Sequence, residues 1–122
     1  MDKNPILVIV AMEVEAKILL EKMNNIKQNN KYGYTIYEGN IEDKKILILL
    51  SGVGVINASS ALTSAIIEYN PKTIINYGIA GAMSKEIHTK DIIIGSSVSN
   101  INSYRTPNLN EKEGSNPNNW EL

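Results

Sequence analysis

Apolar and polar positions along the chain alternate between two periods. Ile6-Leu7-Val8-Ile9-Val10 is an unbroken aliphatic run, the pattern of a strand buried on both faces. Glu13 to Asn24 then reads as a helix, with Val14, Ile18, Leu19 and Met23 on one face and Glu15, Lys17, Glu21 and Lys22 mostly elsewhere. Asn24-Asn25 and Asn29-Asn30 mark its exit as loop. Tyr32 to Tyr37 alternates, with Tyr32, Tyr34 and Ile36 on one face, which predicts a half-exposed strand. A turn around Gly39-Asn40, extending loosely to Asp43, leads into a second buried run, Ile46 to Leu50. These two segments predict a hairpin.

Ser51-Gly52-Val53-Gly54 interrupts the apolar pattern. A helix is expected from about Ile56 to Tyr69, with Ala58, Leu62, Ala65 and Ile66 toward the core, ended by Asn70-Pro71. Thr73 to Tyr77 reads as a third buried strand, Gly78 to Ala82 as a loop of small residues, and Asp91 to Val98 as a further strand. Beyond Ser99 apolar residues thin out and Asn, Ser, Pro and Gly dominate. Residues 99–122 are therefore expected to form an Asn-rich loop or disordered tail, and residues 1–98 the structured part. The order strand, helix, hairpin, helix, strand predicts an α/β fold, a mixed central sheet with flanking helices.

Composition narrows the chemistry. The 122 residues carry 12 basic and 13 acidic side chains, a net charge of −1, so the cationic surplus of a nucleic-acid binder is missing and no nucleic-acid partner is expected. There is no cysteine and one histidine, His88, expected in a surface loop with no assigned role. Thiolate and multi-histidine metal sites are thereby excluded, and no metal or other cofactor is expected. No apolar stretch approaches the roughly 20 residues of a membrane helix, and no signal peptide is evident. A soluble cytoplasmic protein without a membrane partner is the default expectation.

Three loops follow buried strands: Ala11 to Glu15, Ser51 to Gly54, and Gly78 to Gly81. Ligands of open α/β sheets bind beyond the carboxyl ends of the strands, where glycine lets backbone N–H groups approach closely. Each loop also has a plainer role. A Gly-x-Gly turn can be a tight connection, and acidic residues in a first helical turn complement the helix dipole.

Taken together, the loops resemble a known family. Val10-Ala11-Met12-Glu13-Val14-Glu15 resembles the Ala-Met-Glu-x-Glu opening of 5′-methylthioadenosine/S-adenosylhomocysteine nucleosidases, within the nucleoside phosphorylase/hydrolase superfamily. Ser51-Gly52-Val53-Gly54-Val55-Ile56-Asn57-Ala58 resembles their Ser-Gly-[Ile/Val]-Gly-Lys-x-x-Ala segment. Asn76-Tyr77-Gly78-Ile79-Ala80-Gly81-Ala82 resembles their Asn-x-Gly-x-Ala-Gly-Gly loop, and Lys90 to Ile94 their Gly-Asp-Ile-Val-Val strand. The four motifs and the segments between them span roughly Ile6 to Val98.

The resemblance implies hydrolysis of a purine nucleoside N-glycosidic bond, in purine metabolism and methionine salvage, by a protein that is a homodimer when full length. It implies that Glu15 activates the attacking water. A carboxylate can take that water's proton and stabilise oxocarbenium charge on the ribose. It also implies a substrate site formed by Met12, Ser51, Gly52, Val53, Gly54, Ile79, Ala80 and Gly81. Ile79 stands where many members carry serine, and Val55 where a lysine is common, which leaves the exact nucleoside open and includes futalosine-type substrates. Family members are longer. Their second half supplies a base-stacking aromatic residue, a Met-Glu pair for the ribose and an acid for the departing base. The chain therefore reads as an N-terminal half that does not turn over nucleosides alone. Two other readings stay open: a phosphorylase of the same superfamily, and a degenerate, non-catalytic ligand-binding domain.

Overall fold

The computed structural model describes residues 4–98. The chain divides into two compact units, with the boundary between Gly81 and Ala82. The first contains every regular element among the described residues: β1 (Ile6–Val10), α1 (Glu13–Lys22), β2 (Asn24–Lys31), β3 (Tyr34–Ile41), β4 (Lys44–Leu50), α2 (Val55–Tyr69) and β5 (Thr73–Asn76).

The five strands form one mixed sheet in the order β2-β3-β4-β1-β5. β1 runs parallel to both neighbours, with Ile6 opposite Ile46 and Thr73, and Ile9 opposite Leu49 and Asn76. β3 is antiparallel to β2 and β4. Alternation along the central strands feeds two cores. Leu7, Ile9, Leu47 and Leu49 pack with Tyr34 and Ile36 under α2, through Ala58, Ala61, Leu62, Ala65 and Tyr69. Val8, Val10, Ile46 and Ile48 pack with Ala16, Leu19, Leu20 and Met23 on the α1 side. Successive strand residues point to opposite faces, so a continuous aliphatic run is what a sheet covered on both sides requires. The α/β expectation with a mixed central sheet and flanking helices holds.

Four local expectations are corrected. The α1 stripe is Ala16, Leu19, Leu20 and Met23, at i, i+3, i+4 and i+7. Val14 and Ile18 point the other way and are 72% and 60% exposed. In α2, Ala61 is buried and Ile66 is substantially exposed. The expected loop after α1 is a strand: Asn24–Lys31 pairs with β3, so pairing overrides the poor strand propensity of asparagine. As an edge strand it carries Asn, Gln and Lys, which discourage further pairing. Gly39-Asn40 lies inside β3 and the turn falls at Glu42-Asp43. Gly39 is needed for space, because a Cβ there would sit 2.8 Å from the Asn24 carbonyl oxygen and from Met23 Cε.

Side chains tie α2 to the hairpin. Asn29 Nδ2 and the Tyr69 hydroxyl both donate to Glu38 Oε1, at 2.8 and 3.3 Å, and Lys31 pairs with Glu68. Burial, then the negative charge of Glu38, pushes the Tyr69 phenol up to about 12.

In the second unit, residues 82–98 form turns without a strand, contrary to the expectation for Asp91 to Val98. An apolar run becomes a strand only when it is paired, and Ile92, Ile94 and Val98 are exposed. Asp91 Oδ2 instead accepts the His88 N–H at 2.7 Å, and the His88 ring is exposed. The expected tail, residues 99–122, lies outside the described residues.

Candidate active site

The parallel trio β4-β1-β5 delivers the three sequence-selected loops to one end of the sheet. Backbone bonds continue past the strand ends and hold the exits together. Ser51 N–H donates to the Val10 carbonyl at 2.9 Å, and Tyr77 N–H donates to the Ile9 carbonyl at 3.0 Å. The Ser51 hydroxyl lies 3.3 Å from the Val10 oxygen and 3.0 Å from the Gly52 oxygen, so it braces the loop.

Glu15 is the third residue of α1 and is half-buried. Its Oε2 accepts the Met12 N–H at 3.1 Å, which satisfies one of the donors a helix N-terminus leaves free. Its Oε1 accepts the Ile79 N–H at 3.0 Å, from the loop after β5. One carboxylate thus bridges the exits of two adjacent parallel strands. Two fixed donors set the plane of the group and leave further acceptor capacity on each oxygen. Glu13 is engaged elsewhere. It lies beside the Tyr37 hydroxyl on β3, and that phenol is pushed up by burial and then by the charge of Glu13. The two glutamates of the first loop therefore have different surroundings, and only Glu15 faces the Gly78-Ile79 segment.

The β4–α2 loop takes its shape from glycine. Gly52 has φ +82° and Gly54 φ +100°, conformations that side-chain-bearing residues rarely adopt. Gly54 is the N-cap of α2 and Val55 begins the helix, so the common lysine position is helical here. Met12 is 40% exposed, and Val53, Ile79, Ala80 and Gly81 are exposed as well. Met12, Glu15, Ile79 and Ser51 are thus brought to one sheet end by strand pairing. Val53, Ala80 and Gly81 lie in the same loops.

Two surface depressions are lined by other residues. One is on the β2–β3 hairpin beside Gln28, Asn30 and Tyr32, and the other lies along α2 beside Val55, Ile56 and Ser59. Both are open, and neither has a charged group converging with a backbone donor pair as at Glu15. The carboxylate geometry identifies the stronger candidate. The sequence places Gly78 in the third candidate loop but not among the substrate-binding residues. A Cβ there would stand 2.9 Å from Glu15 Oε1. Among the described residues no cluster of three His, Asp or Glu side chains could hold a metal ion, and no helix is long and apolar enough to cross a membrane.

The sequence profile of the phosphorylase superfamily matches residues 5–119. The chain belongs to the phosphorylase superfamily. Within it, the chain is 37% identical over 93 residues to a 5′-methylthioadenosine/S-adenosylhomocysteine nucleosidase of Bacillus pumilus, covering 76% of this chain and 40% of the relative. It is 35% identical over 91 residues to the same enzyme of Staphylococcus epidermidis, covering 75% and 40%. A solved nucleosidase from Neisseria meningitidis, in complex with methylthio-immucillin-A, superposes with a TM-score of 0.66 at 35% identity. That match covers 70% of this chain and 37% of the solved one. This member of the superfamily thus spans about 40% of the length of the curated relatives it matches.

Proposed function

We propose that this segment carries the water-activating half of a purine nucleoside N-ribosyl hydrolase of the 5′-methylthioadenosine/S-adenosylhomocysteine nucleosidase type. The observation that carries the reading is the Glu15 carboxylate, held by the Met12 and Ile79 N–H groups where β1 and β5 end. In this reading Glu15 accepts a proton from water as the water oxygen bonds to the anomeric carbon and the bond to the base nitrogen breaks. The charge of Glu15 also favours the cationic ribosyl transition state. Met12 and the 79–81 loop line the ribose and base, and Ser51 to Gly54 close the other side. The departing base gains its proton from a group outside residues 4–98.

Water suits this site better than phosphate as the nucleophile. A phosphate dianion needs cationic or N–H-rich contacts, and here the Met12 and Ile79 N–H groups already serve a carboxylate. The same reading makes the protein cytoplasmic and homodimeric. Ile56 and Ile67, more than three-quarters exposed on α2, offer apolar surface for such a contact.

The test is adenine release from 5′-methylthioadenosine in two arms. In one, the complete chain is mixed with the unmatched remainder of the Bacillus pumilus relative. In the other, residues 5–98 replace the matched segment of that relative. Adenine release without phosphate is expected. Strict phosphate dependence with a ribose-1-phosphate product rejects hydrolysis, and a folded chimera that releases nothing rejects the nucleosidase reading.

A further inference from the structure

Resting on the nucleosidase reading and deepening it, we infer that Gly78 is a positioning residue for the Glu15 carboxylate. Glycine serves two needs in proteins, backbone conformations closed to other residues and close approach of another group. The first does not apply. The positive-φ glycines of the described chain are Gly33, Gly52 and Gly54, and Gly78 is not among them. The second applies strongly. A Cβ at position 78 would meet Glu15 Oε1 at 2.9 Å, Cδ at 3.5 Å and Oε2 at 3.7 Å, so all three nearest atoms belong to one carboxylate. Gly81, three residues on, would meet nothing within 4 Å.

The missing side chain lets the loop backbone lie along the carboxylate, and the next amide, Ile79 N–H, reaches the same Oε1 at 3.0 Å. The loop is registered there by the Tyr77 N–H bond to Ile9, one step inside the exit of β1. Glu15 is thereby gripped from both flanks, by Met12 from its own loop and by Ile79 from the neighbouring strand. Position 79 contributes its amide. Its side chain is 84% exposed, which accommodates isoleucine where the resembling family often has serine.

An alanine at position 78 meets the flexible end of a glutamate, so the glutamate yields and the sheet does not. The outcome is a folded protein with a displaced carboxylate. Displacement of a catalytic group by about 1 Å is worth up to roughly a hundredfold in rate.

Amide hydrogen exchange on the complete chain tests the geometry directly, because the Ile79 amide depends on Glu15 for protection whereas core amides depend on global unfolding. In Gly78→Ala, exchange at Ile79 should quicken about tenfold or more, with Val8 and Leu47 unchanged. In Ile79→Ala the amide at position 79 should keep its protection to within about threefold. Wild-type protection at Ile79 in Gly78→Ala overturns the inference, as does equal acceleration of the core amides, which marks a merely structural glycine.

In the arm that releases adenine, Gly78→Ala should lower kcat about tenfold to a hundredfold, with KM within about threefold. In a Glu15→Gln background it should add no further loss, since both changes disable one unit. A full additional loss there overturns the positioning role. Failure of both arms to release adenine removes the nucleosidase reading, and the exchange data still decide whether Gly78 sets the carboxylate.

Discussion

Glu15 Oε1 and the Ile79 N–H meet at 3.0 Å across 64 residues of chain. The bond exists because β1 and β5 are adjacent and parallel, so that a residue three places into α1 faces a residue three places past β5. It converts a helix-capping glutamate into a bridge between two loops. The plain reading of Glu15 as a first-turn acid is true locally, since Oε2 does accept the Met12 N–H. Helix capping leaves the second oxygen unaccounted for, and that oxygen is the one turned to the loop after β5.

Replacement of Glu15 by glutamine should separate the two roles. The amide oxygen can still accept one N–H, so the fold should survive, with far-UV circular dichroism unchanged. Turnover in the adenine-release assay should fall by about two to four orders of magnitude, as for loss of a general base. Near-normal turnover with an intact fold assigns Glu15 to capping alone.

Gly54 gives a test of backbone shape without a steric complication. Its φ of +100° and ψ of 156° lie in a region almost reserved for glycine, yet a Cβ there would meet nothing within 4 Å. Gly54→Ala should therefore destabilise through strain alone, by about 1–3 kcal/mol. Urea unfolding measures it. A neutral result means the loop relaxes to another conformation at the start of α2.

Most of the fold was legible because β1, β4 and β5 are short aliphatic runs, each followed by a helix or a glycine-bearing loop. β1 and β4 are buried on both faces, which leaves no ambiguity of period, whereas β5 is an edge strand exposed along its length, contrary to the buried strand expected at Thr73 to Tyr77. β2 was not legible. Its asparagines and lysines look like a loop, and only the antiparallel bonds from β3 make them a strand. The run after Asp91 misled in the opposite direction, being strand-like in composition and unpaired among the described residues. At the candidate site, residue types and loop order were readable from the motifs. The contact of Glu15 with Ile79, and the need for glycine at position 78, depend on strand order, which no local pattern encodes.

The facing of α1 yields a paired prediction. Ala16 is fully buried against the sheet, whereas Val14 is 72% exposed. Ala16→Leu forces extra methylenes into a closed contact and should destabilise by about 1–3 kcal/mol. Val14→Ser should stay within about 0.5 kcal/mol, as for a surface change. Chemical denaturation of both variants settles the rotation of the helix. Equal sensitivity at the two positions, or a larger loss at Val14, contradicts the stripe through Ala16, Leu19, Leu20 and Met23.

Tyr69 links the end of α2 to Glu38 on β3, and its titration reports that link. Burial first, and the negative charge of Glu38 second, raise its phenol from the ordinary 10 to about 12. Because the folded value lies above the unfolded one, folding favours the protonated phenol. This contribution to stability is complete below pH 10 and is lost as pH rises through about 12. The chain has six tyrosines, so the single group is isolated by difference. Ultraviolet titration of phenolate in the wild type minus Tyr69→Phe should show one tyrosine ionising near pH 12. Glu38→Gln should move that step downward, because the repelling charge is gone. A difference step near pH 10, unaffected by Glu38→Gln, means that Tyr69 does not reach Glu38 in solution and that the pair Lys31 and Glu68, with apolar packing, holds the end of α2 to the hairpin.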